Sequence, residues 1–298
     1  MAAKRSFMER LGAGEVLLSD GAWGTELQKM GLEAGACPEE WNVSHPEQVR
    51  RLVRSYLEAG ADMVLTNSFG GNRFRLRRHG FAERVREFNL AAARISKEEA
   101  ARRGAFVAAS VGPTGEFVEP LGLVSEAEMQ GAFTEQIAAL KEGGADAVVI
   151  ETVFALEEIR LAIKAAKDLG MICFATMTFD AGAAGFKTMM GVSTERAAVA
   201  LTEYGADVVG TNCGNGIENM VKVVREMRPH TGKPILVHAN AGIPQLVQGR
   251  VTYQETPELM AGKLKELIAA GANIVGGCCG TTPAHIKAFR AVLDGMKG

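Results

Sequence analysis

No stretch of this 298-residue chain approaches the ~20 consecutive apolar residues that a membrane-spanning helix needs. The N-terminus carries two early basic residues but no continuous apolar segment of the signal-peptide kind, so the expectation is a cytoplasmic protein. Charge of either sign is not in excess: 33 Lys and Arg oppose 35 Asp and Glu, interspersed along the chain, for a net of -2. Such a balance indicates neither a nucleic acid nor a membrane surface as partner. Cysteine is scarce as well. Five cysteines, an odd number without the spacing of a small secreted domain, argue against a disulfide framework and leave reduced thiols or thiols on a metal. No long Pro/Ser-rich linker or low-complexity tract divides the sequence, and residues 1–298 are read as one domain. The densest basic stretch, Arg73 to Arg86, reads as a solvated helix face, with a docking surface for an acidic protein as its alternative.

What the chain does have is a pattern that recurs four times: Glu58-Ala-Gly-Ala-Asp62, Glu142-Gly-Gly-Ala-Asp146, Glu203-Tyr-Gly-Ala-Asp207 and Ala269-Ala-Gly-Ala-Asn273, each followed by an apolar run. Each copy reads as a helix closed by a glycine, a very short loop and a buried strand. The copies lie roughly 60 to 85 residues apart, about twice the length of one βα unit, so a further strand belongs between successive copies. Val16–Ser19, Phe106–Ser110, Ile172–Thr178 and Ile235–Ala239 supply those strands, which makes eight. Amphipathic segments separate them at 46–59, 81–102, 125–142, 155–169, 193–204, 217–228, 257–270 and 283–296. Eight alternating strands and helices predict an α/β fold of the (β/α)8 TIM-barrel class. An open doubly wound sheet is the alternative, but Asp20-Gly21-Ala22-Trp23-Gly24-Thr25 after the first strand lacks the Gly-x-Gly-x-x-Gly dinucleotide spacing.

In such a barrel, chemistry belongs to the C-terminal ends of the strands. Asp20, Asn67, Glu151, Asn212 with Cys213, Asn240, and Cys278 with Cys279 occupy those positions. The run Gly276-Gly277-Cys278-Cys279-Gly280-Thr281-Thr282-Pro283 is the most informative of them. Neighbouring residues of a regular strand point to opposite faces, so two adjacent thiols reach one point only where flanking glycines let the backbone leave the pleat. Cys213 sits in a similar context, and three thiolates converging from strands six and eight would suit zinc. From the residues alone, a vicinal disulfide or redox pair and a set of inert buried thiols stay open. The same loop also admits a phosphate cradle, with Thr281 or Thr282 capping the last helix. Cys173 is expected in the core and Cys37 in a loop where it could be exposed, while His238 and His285 are read as structural.

Taken together, Asp20-Gly-Ala-Trp-Gly-Thr-Glu26, Thr66-Asn-Ser-Phe69, Gly112-Pro-Thr-Gly115, Glu151-Thr152, Asn212-Cys213, Asn240-Ala-Gly242 and Gly276-Gly-Cys-Cys-Gly-Thr-Thr-Pro-Ala-His-Ile286 resemble the homocysteine S-methyltransferases. The resemblance covers nearly the whole chain and is closest to the homocysteine-binding domain of cobalamin-dependent methionine synthase. It implies that Cys213, Cys278 and Cys279 bind zinc and that homocysteine adds its thiolate, to be methylated to methionine. It also implies that Asp20 and Glu151 hold the amino-acid end, and that Asn240 completes the zinc sphere when substrate is absent. Backbone N–H groups around Gly21, Ala22 and Trp23 are assigned to the substrate carboxylate. In that branch the methyl donor is methylcobalamin. This chain stops after the first barrel and shows no Asp-x-His-x-x-Gly cobalamin signature, so the donor is expected on a separate corrinoid protein. A sulfonium such as S-methylmethionine, or betaine, is the alternative donor. Betaine would call for an aromatic cage, for which Trp23, Trp41, Phe69 and Phe74 are candidates in a chain with only 6% aromatics. A zinc-binding or thiol-redox barrel without methyl transfer is the reading of another class.

Overall fold

The computed structural model describes residues 5–182, 185–247 and 250–296. Eight strands form one sheet: β1 (Leu17–Leu18), β2 (Met63–Val64), β3 (Phe106–Val111), β4 (Ala147–Val153), β5 (Ile172–Met177), β6 (Val208–Cys213), β7 (Ile235–Ala239) and β8 (Ala272–Gly277). Their order is β1-β8-β7-β6-β5-β4-β3-β2, with every pairing parallel. The crossovers are α1 (Pro46–Glu58), α2 (Val85–Arg103), α3 (Glu126–Glu142), α4 (Leu156–Asp168), α5 (Thr194–Glu203), α6 (Ile217–Met227) and α7 (Pro257–Ala269), and α8 (Pro283–Gly295) follows β8. This is the expected (β/α)8 barrel, nearly closed.

The fourfold repeat now has a physical reason. Gly60, Gly144, Gly205 and Gly271 all adopt positive φ, the left-handed turn that ends each preceding helix. The acid or amide two residues later accepts an N–H from the first or second residue of the neighbouring strand: Leu18 N to Asp62, Val107 N to Asp146, Cys173 N to Asp207 and Ile235 N to Asn273, at 2.8–2.9 Å. Each copy therefore staples an even-numbered strand to the odd-numbered one before it, at the end of the barrel opposite its mouth.

Strand alternation sorts the interior by height. Leu17, Met63, Phe106, Ala108, Ala147, Val149, Phe174, Val208, Leu236 and Ile274 fill the lower layers as one apolar cluster. Continuing the same phase upward gives Ser110, Glu151, Thr176, Asn212 and His238, a polar layer under the mouth, all buried. The bottom is closed by a short helix, Phe7–Gly12, which a Ser6/Glu9 capping box starts. Phe7 stacks on Phe106 with ring centroids 4.0 Å apart and meets Phe174 edge-on at 5.5 Å.

Several expectations are corrected. The first two strands shrink to two residues each, and no ladder pairs β1 with β2. That seam is held instead by Asp62 N donating to Leu18 O at 2.7 Å and by Leu65 N donating to the Asp20 carboxylate at 2.8 Å. The basic stretch is not one helix: Gly80 at φ 78 separates a short helix, Arg73–Arg77, from a 3-10 turn, Ala82–Arg84, that leads into α2. Four of its six arginines pair closely with acids, Arg73 with Glu135, Arg78 with Glu116, Arg84 with Glu87 and Arg86 with Glu142, while Arg75 lies over the Phe69 ring. Two antiparallel strand pairs, Asp180–Gly182 with Gly185–Lys187 and Gln245–Val247 with Arg250–Thr252, had no counterpart in the sequence reading; they lie after β5 and β7.

Replacing Phe7 by alanine should lower the unfolding free energy by about 3–5 kcal/mol, because a stacked, fully buried ring leaves a cavity at the barrel floor. Urea unfolding checks this; a loss under ~1 kcal/mol would show the floor to be dispensable.

Candidate metal centre and substrate site

The end of β7 sits between the two cysteine-bearing loops and is bonded to both. Asn240 N donates to Cys213 O at 3.2 Å, Cys278 N donates to Ala239 O at 2.8 Å, and Ala241 N donates to Cys279 O at 3.0 Å. The Sγ atoms of Cys213, Cys278 and Cys279 consequently lie within 4.8 Å of one another, with Cys213 and Cys278 at 3.5 Å. How the backbone achieves this differs from expectation at one point. Gly277 and Gly280 are indeed required, since a Cβ would meet Thr281 Oγ1 at 2.1 Å in the first case and the Tyr253 ring at 2.1 Å in the second. On β6, however, Cys213 itself takes the left-handed conformation, at φ 65. A non-glycine residue held there stores about 1–3 kcal/mol of strain, which the surroundings must over-determine.

Without a cation the three thiols share charge poorly. Hydrogen bonds from Cys213 and Cys278 hold Cys279 well below the usual thiol range, and the same contacts keep the Cys278 proton on. Cys213 is pushed up to about 12. A soft divalent cation would relieve all three at once, and three convergent sulfurs are a zinc-type donor set. A further donor is at hand: Asn240 donates its amide N–H to Gly214 O at 2.9 Å, while its buried Oδ1 has no partner. The sulfurs and this orphaned oxygen fit a metal.

Two carboxyls share the mouth. Asp20, fully buried, accepts from Trp23 Nε1 at 2.9 Å, Leu65 N at 2.8 Å and Ser19 Oγ at 3.2 Å. Glu151 accepts from Ser110 Oγ at 2.5 Å. Burial raises both to about 7, and Glu151 is raised further by the charges of Asp20 and Cys279. Of the loop assigned to the substrate carboxylate, Ala22 is already spent: its N–H donates to Thr281 Oγ1 at 3.1 Å and its carbonyl accepts Tyr56 Oη at 2.6 Å. Gly21 is pressed against Thr281 and Tyr56, where a Cβ would stand at 2.8–2.9 Å, and Trp23 contributes its indole to Asp20. Asn67 also leaves the expected constellation, turning to Pro38 O and Asn42 Oδ1.

The remaining expectations sort cleanly. The loop 276–283 is no phosphate cradle, because Thr281 and the Tyr253 ring fill the space over its glycines; Thr282 caps α8 with Pro283 in the first turn. Cys173 is core, and Cys37 is buried beside Glu39 rather than exposed. His238 is buried and pushed down to about 4, and His285 bridges Thr282 N and Glu255 O. Trp41 stacks on His45 and Phe74 lies under Arg77, so neither is free for a cage. Sequence reasoning missed Ser110, Tyr253 and the partners of Asn212. Ser110 shares the inward phase of Phe106 and Ala108, which could have found it; Tyr253 comes from an irregular loop with no periodic signal.

The family model for homocysteine S-methyltransferases matches residues 17–293. This chain belongs to that family. Among relatives in the homocysteine S-methyltransferase family, methionine synthase of Mycobacterium tuberculosis is 33% identical over 304 residues, which are 95% of this chain and 25% of that protein. Betaine–homocysteine S-methyltransferase 1 of Danio rerio is 30% identical over 320 residues, 99% of this chain and 77% of that one. The chain thus spans about a quarter of the mycobacterial methionine synthases it matches. In fold it is similar to the metallated homocysteine methyltransferase MmuM of Escherichia coli, with a TM-score of 0.78 at 24% identity over 94% of this chain and 97% of that one.

The raised carboxyls set a pH dependence. Asp20 binds its proton up to about 7 when folded against 3.8 ordinarily, so its contribution to stability is full below about 4 and is lost as pH rises toward 7. In metal-free protein, the stability of wild type relative to Asp20→Asn should fall across that window, as urea midpoints at pH 4.5, 6 and 7.5 would show; a gap constant with pH would mean that Asp20 is ionised throughout.

Proposed function

We propose that the protein transfers a methyl group to the thiol of homocysteine, giving methionine, at a zinc ion held by Cys213, Cys278 and Cys279. The observation that carries this reading is the meeting of three sulfurs within 4.8 Å with two buried carboxyls on one mouth. Bound zinc would supply a site where a thiol, of ordinary pKa ~8.5, loses its proton at neutral pH and stays nucleophilic. Every other task falls to the chain. Asp20 and Glu151, both poised near 7, receive the substrate ammonium, whose charge favours their ionised forms. The Trp23 indole and the Ser110 hydroxyl aim those two carboxyls, and Asn240 offers its unpartnered oxygen when no substrate thiol is present. A metal store or redox protein would have no use for amino-acid-binding carboxyls beside its thiols.

The methyl donor in this reading is a methylcorrinoid carried by a separate protein. Support comes from the rim. Phe117, Leu121 and Leu123 after β3, Met189 and Met190 after β5, and Ile243, Leu246 and Val251 after β7 are exposed large apolar side chains, all on loops at the mouth end of the barrel. Apolar surface gathered around a mouth suits a macromolecular donor better than a small sulfonium or betaine. The buried state of Trp41 and Phe74 weighs against the betaine alternative.

Cys278→Ala and Cys279→Ala should each lose zinc and activity together; full activity in either would remove the site. Glu151→Ala should raise the KM for homocysteine about tenfold with zinc retained, and an unchanged KM would remove its binding role. Assays with methylcobalamin, S-methylmethionine and betaine as donors should give methionine coupled to corrinoid demethylation. Turnover with only the small donors would overturn the corrinoid assignment.

A further inference from the structure

Among the described residues, only two non-glycine residues have positive φ: Thr152 at φ 61 and Cys213 at φ 65. One side chain stands between them. Asn212, wholly buried, precedes Cys213 and reaches across β5 to Thr152 on β4. Its Oδ1 accepts Thr152 N and Thr176 Oγ1, each at 2.8 Å, and its Nδ2 donates to Thr152 Oγ1 at 2.7 Å. All three bonds serve the left-handed turn or the strand beneath it, and the β4–β5 register shifts at this place, between Ile150 and Val153. A β-branched residue does not hold φ near +60 unaided. The residue before it is Glu151, set 2.5 Å from Ser110 Oγ.

We propose that Asn212 is a positioning residue for the thiol substrate: its amide holds the left-handed turn at Thr152, and that turn fixes the Glu151 carboxyl in the mouth. Left to itself, Thr152 relaxes toward extended backbone, and the adjoining Glu151 swings off Ser110 and away from the ammonium. Asn212 need not touch substrate for this. Its backbone also leads directly into Cys213, so the same buried amide lies at the root of both the carboxyl and the thiol sides of the site. The inference rests on the reading of Glu151 as the ammonium partner.

The test compares KM for homocysteine, kcat and zinc content in Glu151→Ala, Asn212→Ala, Thr152→Val, the Glu151→Ala/Asn212→Ala double variant and Asn212→Ala/Thr152→Gly. Asn212→Ala should raise KM about tenfold with kcat changed less than about threefold and zinc retained. Adding it to Glu151→Ala should change KM no further, because both act through one carboxyl. Glycine adopts φ 61 without strain, so Thr152→Gly should restore KM in the Asn212→Ala background. Should Asn212→Ala fail to fold, Thr152→Val, which keeps the branched side chain but removes the acceptor, should show the same rise in KM. A rise in KM for Glu151→Ala alone, with Asn212→Ala or Thr152→Val unchanged, would overturn the clamp; so would additive effects or no rescue by glycine. An unchanged KM in Glu151→Ala would instead overturn the ammonium reading, and this inference with it.

Discussion

Three sulfurs confined within 4.8 Å are the constraint to which the mouth of this barrel answers. Ionised together they repel, and protonated together they fill a polar, half-closed site with weak donors. The chain accepts that arrangement at a cost in backbone freedom: Cys213 in the left-handed region, glycines at 277 and 280 because nothing larger fits, and the β7 end bonded to both cysteine loops. A dication turns the liability into the most favourable electrostatic interaction available at the mouth. On the proposed reading, structure that looks strained in the metal-free chain is pre-organisation for a bound metal.

The carboxyls extend the same logic outward. Asp20 and Glu151 are buried, among the described residues without a basic partner at hydrogen-bond distance, where water would solvate them far better. Neutral or weakly charged donors, an indole, two hydroxyls and a backbone amide, hold them in place without satisfying them as a lysine or arginine would. A cationic group arriving from solution is therefore worth more here than at a surface acid. In the proposed reaction that imbalance would favour an amino-acid thiol over a simple thiol.

Much of this was legible in the chain. Eight strands and eight helices follow from period and glycine placement, because these are local signals repeated often enough to be read, while one unusual dipeptide raised the three convergent cysteines as one reading among several until the family resemblance singled it out. The staples of Asp62, Asp146, Asp207 and Asn273 were visible as a repeat but not as a purpose, since a side-chain bond to a neighbouring strand leaves no mark on its own segment. The hairpins on the rim, the indole on Asp20 and the Tyr253 ring over Gly280 were not legible for the same reason: each depends on where a distant loop falls. That the Ala22 N–H is already bonded was not legible either, because its partner lies 259 residues away along the chain. Sequence pattern specified the cylinder and its sulfurs; tertiary placement specified what aims them.

Among the four staples, the one at Asp62 differs in what surrounds it. Elsewhere the stapled strands also share a full ladder, whereas β1 and β2 share none, and here Asp62 gathers Arg10 from the floor helix at 3.1 Å and Arg290 from α8 at 2.5 Å. The cylinder is thus a sheet with one lengthwise slit, and a single carboxylate ties the first helix, the last helix and the first strand across it. Any breathing of the barrel has a preferred line along which to open. That line runs from Asp62 at the floor up to the Asp20–Leu65 bond, whereas the loops that carry the sulfurs are bonded on either side of β7.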